Sequence, residues 1–427
     1  MELRTYPKLD EKIYWDRLPN GLTVAVIPRQ GFSKKMAYFV TGAGALHRSF
    51  TMDGKDYTMP MGVAHYLEHK LFDMPDGRDV SGEFAALGAS VNAFTSYDMT
   101  AYYFSCTENF DPCLRLLLSF VATPYFTEQS VQKEQGIIGQ EIDMNEDAPE
   151  TKVFENLMDS MYAAHPIREP ILGTRQTIGQ ITPQVLYDFH RACYSPENML
   201  LCVIADADPE EIRTIALEMT GNMARPHVTV QRQWEEQSLC PKAYTSSKME
   251  IARPMFQLGF KCDSFGTGEQ AIYWEFVGDL AAEVLFGEST ELYTRLYDQG
   301  LIDPSFGGGL DTVPGMALLT VSGDSDEPEV IRDAILQQAK RIAGEGIPEK
   351  DFLRMKRSTL GERIRSLDSF DSVCFRICAY YFTGFDYFRF PEIYERVKAE
   401  DVQKFIAEVV TEERCCLSVI EPKEEML

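Results

Sequence analysis

The chain is short of basic residues. Its 427 residues include 41 Lys and Arg against 66 Asp and Glu, which gives a formal net charge of −25 at pH 7. Proteins that bind nucleic acids contact the phosphates through clustered Lys and Arg. The deficit therefore argues against a nucleic-acid-binding function, and it favours basic or neutral partners.

Long apolar stretches are also missing. No window offers about 18 uninterrupted apolar residues, so the sequence predicts no membrane-spanning helix. The first residues lack a basic start followed by an apolar stretch, which is the pattern of a secretory signal peptide. We therefore expect a soluble, cytoplasmic protein that does not act at a membrane.

The ten cysteines include no Cys-x-x-Cys pair. Most of them lie inside apolar stretches, and Cys374 and Cys378 share one face of a predicted helix. Disulfide frameworks and thiolate metal sites usually show paired or clustered cysteines. The sequence therefore predicts buried, unpaired thiols that serve in packing.

Histidine is scarce, with six in the chain, yet two occur close together in GVAHYLEHKLF (62–72). In a helix, His65 and His69 lie on one face, with Glu68 directly before the second. Imidazole nitrogens bind Zn²⁺, and a neighbouring carboxylate can take the proton of a zinc-bound water. His-x-x-Glu-His is the inverted form of a zinc-protease motif. The alternative is a pair of ordinary surface histidines, and a zinc site needs a third ligand.

A candidate third ligand lies in VQKEQGIIGQEIDMNEDAPE (131–150), which predicts a helix with Ile137 and Ile138 in its core. Glu134 and Glu141 are two helical turns apart and face the same way. One of them could bind the metal while the other orients a histidine. Acidic helices usually face solvent, so these residues alone leave the role of Glu141 open.

Two segments indicate an internal duplication. Residues 182–210 and 398–425 align without a gap at a constant offset of 216, which places Phe189 on Phe405. Each segment predicts an amphipathic helix, a polar turn and a buried strand. A duplicated domain explains an offset close to half the chain length.

The predicted fold class is α+β, because helices are grouped between antiparallel strand pairs. We expect two tandem homologous domains, each a mainly antiparallel sheet packed with helices. The N-terminal domain, 1–222, carries the metal motif. A polar linker, 223–245, leads to the C-terminal domain, 246–427, which lacks that motif. One long helix is predicted over 348–382.

Three motifs together resemble the pitrilysin/insulysin family of zinc peptidases, especially its short-chain bacterial members and the mitochondrial processing peptidase. They are GVAHYLEHKLF, GASVNAFTSYDMTAYYFSC and VQKEQGIIGQEIDMNEDAP, in the order and at about the spacing of the family. The duplicated halves match too, so the resemblance covers essentially the whole chain. It implies that each domain is half of a clamshell.

The resemblance also implies roles for individual residues. One zinc ion would be bound by His65, His69 and Glu141, Glu68 would be the general base, and Glu134 would support the site from outside the ligand shell. The strand with Asn92, Ala93 and Phe94 would pair, main chain to main chain, with an extended peptide substrate. Asn92 would help to hold the scissile carbonyl.

One part of the family pattern is missing. Active members carry an Arg and a Tyr, separated by six residues, in the second half. Here Tyr297 falls at the Arg position and Asp303 or Pro304 at the Tyr position, while Arg295 lies two positions early. Short-chain members act as two-chain clamshells, so the resemblance implies a heterodimer with a homologous subunit that supplies the Arg/Tyr pair. A homodimer is the less favoured alternative.

The predicted function is therefore that of a zinc metalloendopeptidase subunit acting on small or unfolded peptides inside a two-chain chamber. Two alternatives stay open. The chain could be a non-catalytic scaffold subunit, or it could process a single leader peptide. Members that serve as scaffolds typically lose metal residues, whereas all four expected positions are filled here.

Overall fold

The structure is a computed structural model that describes residues 1–75, 77–231 and 234–423. The strands in chain order are β1 (Glu2–Tyr6), β2 (Glu11–Arg17), β3 (Thr23–Pro28), β4 (Lys35–Thr41), β5 (Ser49–Met52), β6 (Lys55–Thr58), β7 (Ser90–Thr95), β8 (Thr100–Cys106), β9 (Met199–Ala205), β10 (Val228–Val230), β11 (Tyr244–Met249), β12 (Met255–Cys262), β13 (Gly307–Val313), β14 (Met316–Asp324) and β15 (Cys415–Pro422).

The helices in chain order are α1 (Val63–Leu71), α2 (Val80–Ala86), α3 (Phe110–Ala122), α4 (Glu128–Glu146), α5 (Pro149–Met161), α6 (Arg175–Ile178), α7 (Pro183–Cys193), α8 (Pro209–Thr220), α9 (Gly268–Phe286), α10 (Glu291–Asp298), α11 (Pro328–Glu345), α12 (Glu349–Arg365), α13 (Phe370–Phe382), α14 (Phe390–Arg396) and α15 (Ala399–Val409). Helices and antiparallel-rich sheets together make an α+β fold, as the sequence predicted.

The first compact unit is built on a seven-stranded sheet with the order β1-β2-β3-β9-β4-β8-β7. Its central strands β3 and β9 pair in parallel and read as continuous apolar runs, TVAVIP and MLLCVIA. Every residue of β9 is buried, which is typical of a strand covered on both faces. The strand β7, by contrast, lies at one edge of this sheet.

The second compact unit is built on a five-stranded sheet with the order β11-β15-β12-β14-β13. The segment β3-β9-β4-β8-β7 of the first sheet has the same order and the same strand directions. The helices α7 and α15 also begin and end 216 residues apart. The structure thus confirms the duplication that the repeated sequence predicted.

The compact units are not continuous halves of the chain. Of the described residues, the first unit contains 1–142, 170–231 and 365–389, and the second contains 143–169, 234–364 and 390–423. This division differs from the predicted domains 1–222 and 246–427. Helices α5 and α13 occupy corresponding places in the repeat. Helix α5 lies in the N-terminal half of the sequence but belongs to the second unit, and α13 lies in the C-terminal half but belongs to the first. Each helix buries its apolar side on the sheet of the unit to which it belongs.

The packing of α5 shows how this assignment arises. Its buried residues Leu157 and Met161 contact β12, and a Cβ atom added at Gly259 would lie 2.6 Å from the sulfur of Met161. The helix α13 packs in the same manner on β9 and β4. Sequence periodicity indicates that a helix has an apolar face, but not which sheet that face covers.

Two other predictions differ from the structure. The predicted helix over 348–382 is broken into α12 and α13, because residues 366–368 form a single 3-10 turn. The Ser369 hydroxyl then caps α13 by accepting a hydrogen bond from Ser372 N–H at 3.3 Å. The predicted linker 223–245 contains β10, which pairs with β5, and the start of β11. Its residues 232–233 lie outside the described part of the chain.

The cysteines behave as the sequence predicted. All ten are free, and nine of them are buried. Cys374 lies beside Cys202 of β9, with 3.9 Å between the sulfur atoms. Among the described helices, none is long and apolar enough to cross a membrane.

A glycine fixes the entry into α1, the helix of the His-x-x-Glu-His motif. Gly62 has φ of +87°, and a Cβ atom at this position would lie 2.4 Å from the carbonyl oxygen of Leu172. Side chains are disfavoured at positive φ, and the neighbouring atom here is main chain, which cannot rotate away.

We therefore expect Gly62→Ala to lower the free energy of unfolding by about 2 kcal/mol or more. Gly136→Ala is the matched control, because Gly136 lies within α4 with nothing within 4 Å of its added Cβ atom. That change should stabilise the protein by up to about 1 kcal/mol. Urea titration of both variants measures the difference, and equal stabilities would contradict the assignment of strain to Gly62.

Candidate metal centre

The helix α1 holds the three motif residues in a fixed arrangement. Val63, Leu67 and Leu71 bury one side of the helix in the core. His65 and Glu68 are buried as well, and His69 is about a quarter exposed. The imidazole rings of His65 and His69 have centroids 4.6 Å apart, as expected for residues one helical turn apart.

The helix α4 brings Glu134 and Glu141 to this face. It buries Val131, Ile138 and Ile142, whereas Ile137 is exposed. The prediction that Ile137 belongs to the core is therefore wrong, because the helical repeat turns it away from the buried side.

A buried hydrogen bond ties the two helices together beside the site. The Tyr66 hydroxyl of α1 donates to the carbonyl oxygen of Val131 in α4 at 2.5 Å. Both groups are buried, so the bond is shielded from competing water. It fixes the helix that carries the histidines against the helix that carries the glutamates.

Three groups converge as a ligand set. His65, His69 and Glu141 each offer one ligand atom, and these atoms all lie within 4.8 Å of one another. The Nε2 atom of His65 is 3.6 Å from Glu141 Oε1, and that of His69 is 3.5 Å from Glu141 Oε2.

These distances suit a metal better than direct hydrogen bonds. An N–H···O bond normally measures about 2.7–3.2 Å, whereas two ligand atoms at about 2.0–2.1 Å from a tetrahedral zinc lie about 3.3–3.4 Å apart. Two imidazole nitrogens and one carboxylate oxygen are also the donor types of catalytic zinc sites. The residues present therefore fit a zinc ion with one open position.

Glu134 lies outside this ligand set and orients one of its members. Its Oε1 atom is 3.1 Å from His69 Nδ1, so the ring donates its Nδ1 proton to Glu134 and leaves Nε2 free to bind a metal. Burial lowers the pKa of His69, but the bond to Glu134 and the charges of Glu68, Glu134 and Glu141 outweigh it, so the net pKa is raised. The neighbouring imidazole of His65 holds the pKa of Glu141 below its usual value.

Glu68 is set apart from the ligands. Its side chain accepts a hydrogen bond from the hydroxyl of Thr95 at 2.6 Å, a contact that no motif predicted. Burial raises the pKa of Glu68, and this outweighs the opposing effects of His65, Thr95 and His69. A buried carboxylate with a raised pKa is a suitable proton acceptor near neutral pH.

The strand β7 contributes the predicted substrate residues. Asn92 is exposed and its Oδ1 atom accepts a bond from Ala93 N–H at 2.9 Å. Phe94 packs against Phe375 of α13, with ring centroids 5.8 Å apart. Because side chains alternate along a strand, Asn92 and Phe94 lie on the face opposite Thr95 and are not brought into the ligand cluster, whereas Ala93 shares the face of Thr95.

The segment that the resemblance aligns with the Arg and Tyr of the family folds as α10 and the turn after it. Tyr297 is 49% exposed and stacks on Tyr293. Asp303 accepts hydrogen bonds from the main chain and the hydroxyl of Ser305, and it lies 3.5 Å from Arg253. These positions thus present aromatic and acidic side chains, and Arg295 lines a shallow surface cavity.

We expect Glu134→Gln to lower the affinity for zinc about 10- to 100-fold, because the amide holds His69 less firmly in the tautomer that leaves Nε2 free. Competition with a fluorescent chelator measures the change. Glu128→Gln, an exposed position on the same helix, is the matched control and should bind zinc as the unaltered chain does. Equal affinities for the two variants would remove the orienting role of Glu134.

Comparison with known proteins agrees with this geometry. Residues 55–175 match the family model described as Insulinase (Peptidase family M16), and residues 180–359 match the one described as Peptidase M16 inactive domain. The chain is 35% identical over 424 residues to a protein of Bacillus subtilis (strain 168) described as the uncharacterized zinc protease YmfH, with 98% of both chains covered. The chain belongs to peptidase family M16.

Solved structures show the same fold for this M16 chain. An M16-like peptidase from Alicyclobacillus acidocaldarius has a TM-score of 0.93 at 30% identity, covering 97% of this chain and 99% of that one. A protease from Helicobacter pylori has a TM-score of 0.84 at 17% identity, covering 96% and 100%. The pitrilysin/insulysin resemblance predicted from three motifs is thereby confirmed.

Proposed function

We propose that this chain is the catalytic subunit of a zinc metalloendopeptidase, which binds one zinc ion through His65, His69 and Glu141. The observation that carries the proposal is the convergence of these three ligand atoms within 4.8 Å of one another. The carboxylate of Glu68 lies on the same helix, buried and with a raised pKa.

The side chains then have separate tasks. A bound zinc ion supplies a water molecule of lowered pKa and polarises the scissile carbonyl. Glu68 accepts the proton of that water at Oε1, since its other oxygen is bonded to Thr95. It then delivers the proton to the leaving amine. Glu134 keeps Nδ1 of His69 protonated throughout, so that Nε2 stays a ligand.

We also propose that peptides dock on the open edge of β7. An edge strand presents unpaired main-chain groups, so an extended peptide can extend the sheet whatever its sequence. Such binding selects small or unfolded peptides, because a folded protein does not offer a free strand. Ala93, Asn92 and Phe94 lie along this edge. Asn92 is exposed on the face opposite Thr95, so it would contact the docked peptide away from the metal ligands, and its predicted role at the scissile carbonyl is not proposed.

A second subunit is part of the proposal. The family's Arg position is occupied by Tyr297 and its Tyr position by Asp303 or Pro304, which supports a homologous partner that provides this pair inside a two-chain chamber. Such donors stabilise the developing oxyanion, and losing one typically costs about 10²- to 10³-fold in kcat. Division of the catalytic groups between two chains explains a complete metal motif beside a missing Arg/Tyr pair.

Metal binding, peptide cleavage and the need for a partner are tested in that order. Metal analysis of the purified chain is expected to give one zinc ion per chain. A library of quenched peptides should be cleaved by the chain together with a homologous chain that keeps Arg and Tyr, and chelation should stop the cleavage. A chain that binds no zinc at excess metal contradicts the catalytic proposal. An isolated chain that matches the full rate of the pair contradicts only the need for a partner.

The two alternative functions give different results in the same assay. A scaffold subunit need bind no metal, and turnover in its complex would not depend on Glu68. A processing enzyme for one leader peptide would leave the general library intact yet cleave its own precursor in a chelator-sensitive manner. The filled metal positions favour the catalytic reading over the scaffold.

A further inference from the structure

Thr95 is the last residue of the edge strand β7, and its side chain reaches the candidate general base. The hydroxyl Oγ1 donates to Glu68 Oε2 at 2.6 Å, which is a short, charge-assisted bond. Within the described part of the chain, Thr95 is the one hydrogen-bond donor to this carboxylate. Glu68 is 8% exposed, so water has little access to replace the bond.

The direction of this side chain follows from the strand. Successive residues of β7 point to opposite faces, and Thr95 shares its face with Ala93. Ala93 is paired with Tyr102, whose ring contacts Phe72 just after α1. The hydroxyl of Thr95 therefore points beneath α1, away from the open edge on which a peptide would pair.

We propose that Thr95 is a positioning residue that aims the carboxylate of Glu68. Resting on the proposed function, this inference gives the two oxygens of Glu68 different tasks: Oε2 is held by Thr95, and Oε1 is presented to the attacking water. Without the hydroxyl, the buried Oε2 atom would have no donor, so the carboxylate would rotate out of its position to find another polar partner.

The same bond joins the base to the strand on which the peptide docks. A peptide paired with β7 is in register with Thr95, so the strand that places the scissile bond also fixes the group that takes the proton. This arrangement keeps the distance between base and substrate constant even when the sequence of the peptide varies. Positioning errors of about 1 Å are known to cost on the order of 10²-fold in rate.

The test compares Thr95→Val with Thr95→Ser. Valine keeps the shape and β-branching but removes the hydroxyl, whereas serine keeps the hydroxyl. We expect Thr95→Val to lower kcat about 10- to 100-fold, as for loss of a hydrogen bond to a charged group, and to leave KM within about twofold. Thr95→Ser should restore most of kcat. Thr312→Val, an exposed change on the corresponding edge strand β13, is the matched control and should change neither constant.

Two further readouts separate positioning from a structural effect. The zinc content of Thr95→Val should equal that of the unaltered protein, and its melting temperature should fall by only a few degrees, because one buried hydrogen bond is lost. Crystal structures should show the Glu68 carboxylate displaced in Thr95→Val but in place in Thr95→Ser, a result that does not depend on activity. Unchanged kcat in Thr95→Val, an unmoved Glu68, or an equal loss in both variants would overturn the inference.

Failure of the proposed function looks different. In that case the unaltered chain, with its partner, shows no chelator-sensitive cleavage. The crystallographic comparison of Glu68 still decides whether Thr95 positions this carboxylate. Conversely, if the unaltered chain cleaves peptides and Thr95→Val does so at the same rate, the peptidase assignment stands and the positioning role is lost.

Discussion

Replacing Glu68 by Gln is expected to lower the rate of peptide hydrolysis by about 10²- to 10⁴-fold while zinc stays bound. The amide keeps the size of the side chain, and its oxygen can still accept the bond from Thr95. It cannot take a proton from water. The three ligand side chains, His65, His69 and Glu141, are unaltered, so the metal should be retained.

The measurement pairs kcat on quenched peptides with zinc analysis of the same preparation. Glu146→Gln, an exposed change on α4, is the control for loss of a carboxylate near the site and should keep full activity. Turnover that survives in Glu68→Gln, with zinc present, would falsify the role of Glu68 as the base. It would also favour a scaffold function, with any activity coming from another protein.

Lys261→Met is expected to lower the free energy of unfolding by about 3–5 kcal/mol, the largest stability effect that we expect in the second unit. The side chain of Lys261 is only 2% exposed. Its ammonium group donates to Glu236 Oε1 and to the carbonyl oxygen of Met161, both at 2.7 Å, and lies over the ring of Tyr162. Methionine fills the space but leaves the carboxylate of Glu236 without its counter-charge.

An exposed ion pair provides the control. Lys340 and Glu412 are 2.9 Å apart, but both side chains are 70% exposed. Because water screens such pairs, Lys340→Met should change the stability by about 0.5 kcal/mol or less. Urea titrations at pH 7 compare the two variants. A similar, small effect of both substitutions would mean that burial does not strengthen the Lys261 pair.

The effect of Lys261→Met should depend on pH. Burial alone raises the pKa of Glu236, but Lys261 and the main-chain N–H groups of Ala163, Ala164 and His165 outweigh this and lower the pKa to about 2. In the unfolded chain a Glu has a pKa of about 4.3. The stabilisation is therefore complete above that value and is lost as the pH falls towards 2. The difference between the unaltered protein and the variant should shrink over this range.

Much of the candidate site could be predicted from the sequence. The spacing of His65, Glu68 and His69 places them by the geometry of a single helix, which depends on neighbouring residues alone. The two-turn spacing of Glu134 and Glu141 likewise predicted a shared face. That Glu141 meets the histidines needed the family resemblance, since the residues themselves also allowed a solvent-facing acidic helix.

Other features could not be predicted in this way. The contact of Thr95 with Glu68 joins a strand to a helix 27 residues earlier, and no spacing rule connects them. The break in the predicted helix over 348–382 was missed because its residues keep a helical pattern on both sides of Ser369. Ile137 was placed in the core because two adjacent isoleucines do not indicate which of them faces inward.

The sequence by itself determined the local arrangements: the face shared by the two histidines, and the repeated order of helix, turn and strand. Only the tertiary structure decided which sheet α5 and α13 cover, which atoms of Glu141 face the imidazoles, and which hydroxyl holds the base. The physical reason is that local patterns arise from backbone geometry within a few residues. Contacts between distant segments depend on how buried surfaces fit together, and a periodic pattern carries no information about its partner.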